Sequence, residues 1–239
     1  MIRIGERKVG PGYPVFICCE VSGNHNGDLN RAIALIEAAK RAGADAVKFQ
    51  AFTMEEILTL RGRGQAPPPW ESVTLPELYA KSITPAEWFP ELFTFARDLG
   101  LIPFASVFGR RSLALLESLD CPVYKIAKAE ARVGWLEKAV RATGKDVLIS
   151  GANVLCPGGY PCKPEELGLE RIYRGGFVGL SCHCPDPLVG PVAAGAGASY
   201  LEFHLTLDDG VPTLDDDVNL TASLFAEMVR LVWKAEMMR

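Results

Sequence analysis

Acid, amide, hydroxyl and imidazole side chains crowd into one short segment, Glu20-Val21-Ser22-Gly23-Asn24-His25-Asn26-Gly27. An apolar stretch at residues 15–19 precedes this segment, and residues 29–42 carry apolar side chains at helical spacing. The segment therefore lies where a strand ends and a helix begins. Because ligands bind at the carboxyl ends of strands in parallel α/β proteins, this position indicates an enzyme site.

Other predicted strands end in the same kinds of side chain. Alternation along a strand places residues two apart on one face, which pairs Lys48 with Gln50 and Ser181 with His183. The further strand-end candidates are Ser106, Lys125, Lys128, Glu130, Ser150, Glu202 and His204. A barrel interior with several cations and carboxylates suits a phosphorylated, anionic substrate together with a divalent metal.

Two imidazoles, those of His183 and His204, come from late strands that we expect to be adjacent. Paired imidazoles bind Mn, Fe, Co or Zn, and open coordination positions would let such a metal polarise a carbonyl group. The chain has only 3 histidines, and each falls in a strand-end motif. We therefore favour a metal site over two ordinary histidines.

A second metal site is conceivable from the cysteines. Cys182 and Cys184 flank His183, and Cys156 and Cys162 precede them, which is a donor set that suits structural zinc. The two-residue gap typical of paired zinc cysteines is missing, and strand alternation turns Cys182 and Cys184 away from the face of His183. We therefore rank this site below the histidine pair.

Two lysines, Lys48 and Lys125, lie inside apolar runs. A lysine in such a position needs a partner, and a bound anion would satisfy it. Lys125 could instead form a Schiff base, so an aldolase or lyase on the same fold stays open. Asp215 begins an acidic triplet with two interpretations, a solvated turn before the last helix or a contact to substrate hydroxyls.

Strand and helix patterns alternate along the chain, which indicates parallel strands joined by right-handed crossovers. Seven strands are predicted, at residues 15–20, 46–50, 102–107, 123–127, 147–150, 177–181 and 200–204. An eighth could lie only at residues 153–156, too close to the fifth for the usual crossover of about a dozen residues. We predict an α/β fold, a TIM-type (β/α) barrel with one reduced or missing βα unit after the fifth strand.

The regions between strands contain one long break. Residues 53–83 include Gly-Arg-Gly and three successive prolines, and connections of this length are usually functional lids or disordered. A helix at residues 85–99 should start with Thr84 as its cap and Glu87 completing a capping box. Another helix is predicted at residues 164–173.

Composition excludes several classes of protein. The chain has 239 residues and a net charge of −4 without a basic cluster, so nucleic acid is not expected as a partner. Its apolar runs are too short for a membrane span, and the first residues lack the apolar core of a signal peptide. Seven cysteines, an odd number, indicate reduced thiols, so we expect a cytoplasmic protein.

Five segments along the chain match known sequence motifs. They are residues 20–27, 42–50, 124–130, 179–184 and 201–208. In order and content they resemble the motifs of the sialic acid synthase family, and Ala-Gly-Ala-Asp-Ala-Val-Lys-Phe-Gln of that family is identical to residues 42–50. Members of the family condense phosphoenolpyruvate with an aldose such as N-acetylmannosamine. The resemblance implies a metal-dependent, carbon–carbon bond-forming transferase that makes a 2-keto acid and releases phosphate from phosphoenolpyruvate and an aldehyde or aldose.

The resemblance also implies roles for individual residues. Glu20, Lys125 and Glu130 would be catalytic, with Glu20 facing the sugar and Glu130 handling a proton or the attacking water. His183 and His204 would hold a Mn or Mg ion. The substrate-binding residues would be Lys48, Gln50, Ser106, Lys128, Ser150, Ser181, Asn24 and Asp215. This set fits the chemistry, since cations suit a triply charged substrate and carboxylates suit proton transfer.

The chain also departs from the family pattern. Lys128-Ala129-Glu130 replaces Ser-Gly-Glu, Cys182 replaces an aspartate before His183, and Phe203 replaces a lysine before His204. These changes leave open a barrel that has lost catalysis and only binds a ligand. Retention of the charged residues argues against it, because unpaired buried charges cost several kcal/mol. We expect one barrel domain over residues 1–239 without the family's C-terminal antifreeze-like domain, and a homodimer is the assembly to test.

Overall fold

A two-stranded antiparallel hairpin, β1 (Ile2–Ile4) and β2 (Arg7–Val9), precedes the barrel. The structure, a computed structural model, describes residues 1–238. Ile4 and Val9 are fully buried and belong to the main apolar core. The hairpin is thereby fixed to the barrel by its own alternation of apolar and charged residues.

Eight parallel strands form the barrel. They are β3 (Phe16–Glu20), β4 (Ala46–Ala51), β5 (Ile102–Val107), β6 (Tyr124–Ile126), β7 (Val147–Ile149), β8 (Val154–Leu155), β9 (Gly179–Cys182) and β10 (Tyr200–Thr206). The strands neighbour one another in the order β7-β6-β5-β4-β3-β10-β9-β8, and a parallel bridge between Ser150 and Val154 joins the two ends. The predicted TIM-type barrel is confirmed. A short strand, β11 (Leu220–Thr221), pairs in parallel with the last two residues of β10.

Nine helices are present within residues 1–238: α1 (Leu29–Ala42), α2 (Met54–Arg61), α3 (Leu75–Ser82), α4 (Phe89–Asp98), α5 (Arg110–Ser118), α6 (Gly134–Arg141), α7 (Glu170–Tyr173), α8 (Val189–Gly195) and α9 (Ala222–Glu236). The first shows how the sequence sets their limits. The Asp28 carboxylate accepts a hydrogen bond from the backbone N–H of Asn30, which caps α1. Gly43, with φ of 87°, ends the helix in the left-handed region. No helix of residues 1–238 is long and apolar enough to cross a membrane.

Residues 150–153 alone connect β7 to β8, so the predicted reduction of the βα unit after the fifth strand is confirmed. The exclusion of residues 153–156 as a strand is wrong, because β8 forms there and pairs with β9. The usual crossover length does not apply, since β8 meets β7 through one bridge and not a full ladder. The Asn153 side chain accepts from the Ile149 N–H at 2.6 Å and donates to the Val147 carbonyl at 2.8 Å.

Residues 53–83, which we call the lid segment, are ordered and contain α2 and α3. The segment packs on its own apolar cluster, which is separate from the barrel core. Buried members of this cluster are Phe52, Ile57, Leu58, Ala66, Leu75, Leu78 and Phe108. The long break in the sequence pattern is therefore a folded element beside the barrel.

Two predicted helices differ from the structure. The helix predicted at residues 164–173 is divided into a 3₁₀ turn at Pro164–Glu166 and α7, because Gly168 between them has φ of 63°. The helix predicted at residues 85–99 begins as a 3₁₀ turn at Ala86–Trp88, without a cap from Thr84. The Thr84 hydroxyl lies instead 3.2 Å from Nε2 of His25.

Candidate active site

The strand register brings polar strand-end residues into one layer inside the barrel. Glu20 lies level with Lys48 of β4 and with His204 of β10. Ser106 of β5 lies level with Lys125 of β6. Each of these five residues is at most 5 % exposed. Side chains far apart in the sequence thus share one buried polar layer.

Positive and negative charges alternate through this layer. The Lys48 ammonium forms an ion pair with Glu20 and lies 3.6 Å from Oε1 of Glu202. The Lys125 ammonium donates to both oxygens of Glu202, at 3.0 and 2.9 Å. The partners of the two buried lysines are therefore carboxylates of the chain, which removes the cost of burying either charge alone.

Glu202 is the centre of the layer. Besides the lysines, the Ser181 hydroxyl donates to its Oε1 at 2.7 Å and the Tyr200 hydroxyl to its Oε2 at 2.5 Å. Burial alone would raise the pKa of Glu202, but the charges of Lys125 and Lys48 and these hydrogen bonds hold the pKa well below its usual range. Burial lowers the pKa of Lys48, and the charge of Glu202 opposes that shift. Glu202 is thus an ionised carboxylate that orients two cations.

A cavity of about 280 Å³ opens onto the layer. Ten of the predicted site residues line it: Glu20, Lys48, Gln50, Ser106, Lys125, Lys128, Ser150, Ser181, His183 and His204. Lys128 differs from the other two lysines in its partner. Its ammonium donates to the Cys156 carbonyl oxygen at 2.9 Å, and no carboxylate of residues 1–238 forms an ion pair with it. The cavity therefore contains one cation whose charge is left for a bound anion.

The two predicted metal ligands lie side by side, with 5.3 Å between the ring centroids of His183 and His204. Burial, followed by the nearby His204, lowers the pKa of His183 to about 3, so the ring is neutral and one of its nitrogens keeps a lone pair for a ligand. Nδ1 of His204 and Oδ2 of Asp215 are buried without a hydrogen-bond partner, 3.5 Å apart. Tyr160 covers the pair, with its ring centroid 4.7 Å from that of His183.

These donors fit a divalent ion through two imidazoles, one of which has an unsatisfied nitrogen. No three His, Cys, Asp or Glu side chains of residues 1–238 converge as a complete ligand set. The histidine pair would therefore leave coordination positions to water or substrate, as catalytic sites do.

The cysteine site is not assembled in the described part of the chain. All 7 cysteines are buried and free. Burial raises the pKa values of Cys162, Cys182 and Cys184, so these thiols are protonated and behave as small apolar residues.

Asp215 is buried, so the solvated-turn interpretation does not hold for this residue. Its Oδ1 accepts from the Tyr160 hydroxyl at 2.6 Å. Burial by itself would raise the pKa of Asp215, but the nearby His204 ring and the hydrogen bond from Tyr160 bring the pKa down to about 2. Asp216 and Asp217 remain exposed. Only the first aspartate of the triplet therefore belongs to the site.

Glu130 is 1 % exposed, and both of its oxygens bind Arg61 at the end of α2. Arg61 lines the cavity, whereas Glu130 is not part of the cavity wall. The structure thus places a guanidinium of the lid segment where a carboxylate was expected to meet the substrate.

The structure does not bring Asn24, a predicted substrate-binding residue, to the cavities. Its amide group is fully buried and donates to the Leu205 carbonyl at 3.0 Å and to Oδ1 of Asn219 at 2.8 Å. With both amide hydrogens engaged, Asn24 joins the end of β3 to β10 and does not reach either large cavity beside the layer.

A second cavity of about 700 Å³ adjoins the first. Aromatic and aliphatic side chains form most of its wall, namely Pro67, Pro68, Trp70, Leu75, Leu78, Tyr79, Tyr160 and Leu214. Gln50, Arg61 and His183 line both cavities. The lid segment therefore builds an apolar chamber directly beside the charged one.

The sequence pattern of the NeuB family matches residues 35–155 and 154–239 of the chain. The chain belongs to the NeuB family. A pseudaminic acid synthase of Helicobacter pylori is 34 % identical to this NeuB-family chain over 92 % of the chain and 74 % of that protein. The predicted sialic acid synthase-like enzyme is confirmed by this membership.

Solved structures agree with the family. The NeuB-family chain superposes on the spore coat polysaccharide biosynthesis protein SpsE of Bacillus subtilis with a TM-score of 0.77 and 30 % identity, over 98 % of this chain and 72 % of that one. It superposes on an N-acetylneuraminic acid synthetase of Leptospira borgpetersenii with a TM-score of 0.86 and 24 % identity, over 99 % and 89 % of the two chains. At that identity the second comparison concerns the fold alone.

Two residues of the NeuB-family site, Arg61 and Tyr160, were not proposed from the sequence, and Glu202 was proposed only as a strand-end candidate without a role. Glu202 was visible as an acid two residues before His204 in a strand, which signals a shared face. Arg61 and Tyr160 come from connections between strands, where periodicity carries no information about direction. Only the folded chain brings them to the cavities.

Proposed function

We propose that the chain condenses phosphoenolpyruvate with the aldehyde group of an aldose. The observation that carries this proposal is the buried layer of lysines and carboxylates open to a cavity of about 280 Å³. Membership of a family whose relatives are named as synthases of pseudaminic acid supports it. The new bond joins the enol carbon to the aldehyde carbon, water adds at the neighbouring carbon, and phosphate leaves as the bond between that carbon and the bridging oxygen breaks.

The anion would lie among Lys48, Lys125 and Lys128. The first two are held by carboxylates, which orient them, whereas Lys128 contributes a charge without a carboxylate partner. Hydroxyl groups of Ser106 and Ser150 on the cavity wall add donors for phosphate oxygens. Preorganised charges of this kind stabilise the phosphate as it leaves.

Glu20 is the carboxylate best placed to handle a proton at the reacting atoms. It lines the cavity, and the backbone N–H of Ser22 donates to its Oε1 at 2.8 Å, which fixes the orientation of the group. We expect it to receive the proton of the attacking water. His183 and His204 would hold a Mn or Mg ion, which supplies Lewis-acid polarisation of the carbonyl when bound.

The second cavity favours an uncharged aldose whose substituents carry apolar parts, such as the methyl groups of acetamido substituents. Its wall is mainly aromatic and aliphatic, and Arg61 is the sole Lys or Arg among the described residues that line it. Because that guanidinium is paired with Glu130, no free cation is left there for a phosphorylated sugar. An aldolase using Lys125 is less well supported, since both oxygens of Glu202 stabilise its ammonium form and a Schiff base needs the neutral amine.

The test is phosphate release from phosphoenolpyruvate by the purified protein with Mn or Mg and a panel of aldoses, with and without a phosphate group. We expect turnover with N-acetylated, unphosphorylated aldoses. Lys128→Met should weaken phosphoenolpyruvate binding about 10–100-fold in calorimetry, because a charge-assisted hydrogen bond contributes about 1.5–3 kcal/mol. Lys234→Met, on the exposed face of α9, is the matched control. Absence of both phosphate release and phosphoenolpyruvate binding in the unchanged protein would refute the proposal.

A further inference from the structure

Arg61 stands where the two cavities meet. It is the last residue of α2, and its side chain, 32 % exposed, lines the charged cavity and the apolar chamber. An arginine at such a junction can contact whichever molecule fills the chamber.

Glu130 anchors this guanidinium from the barrel side. Nε of Arg61 donates to Oε1 at 2.5 Å and Nη2 donates to Oε2 at 2.9 Å, which is the bidentate geometry that orients an arginine most firmly. A guanidinium has five N–H donors, and the pair uses two of them. The remaining donors are left for oxygen atoms in the cavities.

The other end of α2 is fixed as well. Oε1 of Glu56 accepts from the backbone N–H groups of Arg111 and Ser112 at the start of α5, at 2.7 and 3.2 Å. Its Oε2 accepts from the N–H of Thr53 at 3.1 Å. One carboxylate thus ties the beginnings of two helices together and fixes the position of α2 against α5 in the folded state.

We propose that Arg61 is an acceptor-binding residue, that it donates to a hydroxyl or carbonyl oxygen of the aldose, and that Glu130 is its positioning residue. This role of Arg61 rests on the condensation proposed above, since it requires an aldose as the second substrate. The charged cavity already offers three lysines to phosphoenolpyruvate, whereas the chamber has no other Lys or Arg among its described wall residues. Specificity for the acceptor is a property that one oriented guanidinium in a mainly apolar wall can supply.

The first test separates the two substrates. Arg61→Ala should raise the KM for the aldose about 10–100-fold, as expected for the loss of a hydrogen bond to a charged group, and should change phosphoenolpyruvate affinity in calorimetry by less than about threefold. Arg61→Lys should recover part of the loss, because lysine keeps the charge without the bidentate fork. Arg63→Ala, an exposed lid arginine two residues away, is the control and should match the unchanged protein.

The second test is a double-mutant cycle with Glu130→Gln. If Glu130 acts through Arg61, Glu130→Gln raises the aldose KM in the same direction, and combining it with Arg61→Ala adds little. The double variant also removes the unpaired buried carboxylate that Arg61→Ala leaves, so a folding defect of the single variant does not decide the result. Additive losses, or a loss of turnover in Glu130→Gln far larger than in Arg61→Ala, would overturn the assignment.

Failure of this inference differs from failure of the proposed function. If the unchanged protein turns over phosphoenolpyruvate and an aldose while Arg61→Ala keeps the same aldose KM, only the role of Arg61 is wrong. If Arg61→Ala instead weakens phosphoenolpyruvate alone, the role is again wrong. If the unchanged protein neither binds phosphoenolpyruvate nor releases phosphate, the proposed function itself falls.

Discussion

His25 belongs to the polar segment after β3, yet its ring serves the fold. Nδ1 accepts from the backbone N–H of Gly27 at 3.0 Å, so Nε2 carries the proton and faces the Thr84 hydroxyl. The ring is fully buried against the edge of Trp88. Burial lowers the pKa of His25 to about 4, because the charged form would lose its hydration and its Nδ1 acceptor.

This histidine should make stability depend on pH. The unfolded chain takes up the proton near pH 6.5 and the folded chain only near pH 4, so stability is complete above pH 6.5 and falls as the pH drops through this window. We expect its contribution to fall by about 2 kcal/mol between pH 7 and pH 5. Urea unfolding of the wild type and of His25→Asn at both pH values measures it.

Asparagine is the matched replacement, because its Oδ1 can accept from the Gly27 N–H but does not titrate. The loss of stability on going to pH 5 should be smaller in His25→Asn by the stated amount. Other acidic and basic groups contribute equally to both proteins and cancel in the difference. Equal pH dependence of the two proteins would show that protonation of His25 does not cause the loss of stability at low pH.

At the scale of elements, the shortest connection of the barrel, residues 150–153 between β7 and β8, contains no helix and is held by the side chain of Asn153. The Asn153 side chain satisfies the N–H of Ile149 and the carbonyl of Val147, groups that a regular βα unit would cover differently. Asn153→Ala should lower the free energy of unfolding by about 2–4 kcal/mol, since both groups lose their partner. Denaturant unfolding measures it, and Asn30→Ala, at an exposed position of α1, should stay within about 0.5 kcal/mol of the wild type. A neutral Asn153→Ala would mean that water replaces the side chain.

The sequence predicts those elements that are set by their own residues and not by contacts with distant parts of the chain. Seven of the eight barrel strands were predictable because each is an apolar run between helical patterns, and the reduced unit followed from spacing. The eighth, β8, was excluded because it lies so close to β7. The two lid helices have capping boxes, Thr53 with Glu56 and Thr74 with Glu77, but intervening prolines and glycines conceal them. Thr84 fails as a cap because a distant histidine takes its hydroxyl, a competition that no local pattern records.

The residues of the site also fall into a group that was predictable from the sequence and a group that was not. Side chains on strands were predictable, since alternation sets their direction and parallel register then brings Lys48, Lys125 and His204 together. Arg61 and Tyr160 were not, because they extend from connections whose path depends on tertiary packing. Asn24 was predicted to bind substrate because its sequence neighbours are polar, but its amide group joins the end of β3 to β10 through hydrogen bonds.

At the scale of the whole molecule, two apolar clusters carry the structure. The larger fills the barrel and its helices, and the smaller holds the lid segment against Phe52 and Phe108. A small cluster stabilises its element less than a large one, so local opening should start at the lid.

Hydrogen exchange followed by mass spectrometry tests this distribution of stability. Amides of α2 and α3 should exchange faster than those of β4 and β5, and phosphoenolpyruvate together with an aldose should slow the lid amides alone. The strands serve as the internal control in each measurement. Equal protection of lid and strands without substrate would mean that the protein opens only as a unit.

The lid segment also determines how the two parts of the site are distributed along the sequence. About half of the chamber wall comes from the contiguous residues 53–83, whereas the residues proposed to bind the anion lie on or just after four strands, β4 to β7. Changes confined to this stretch would act mainly on the chamber, because the lysines proposed to bind phosphate lie outside it. The part of the sequence that shapes the pocket for the second substrate is therefore largely distinct from the part that carries the proposed chemistry.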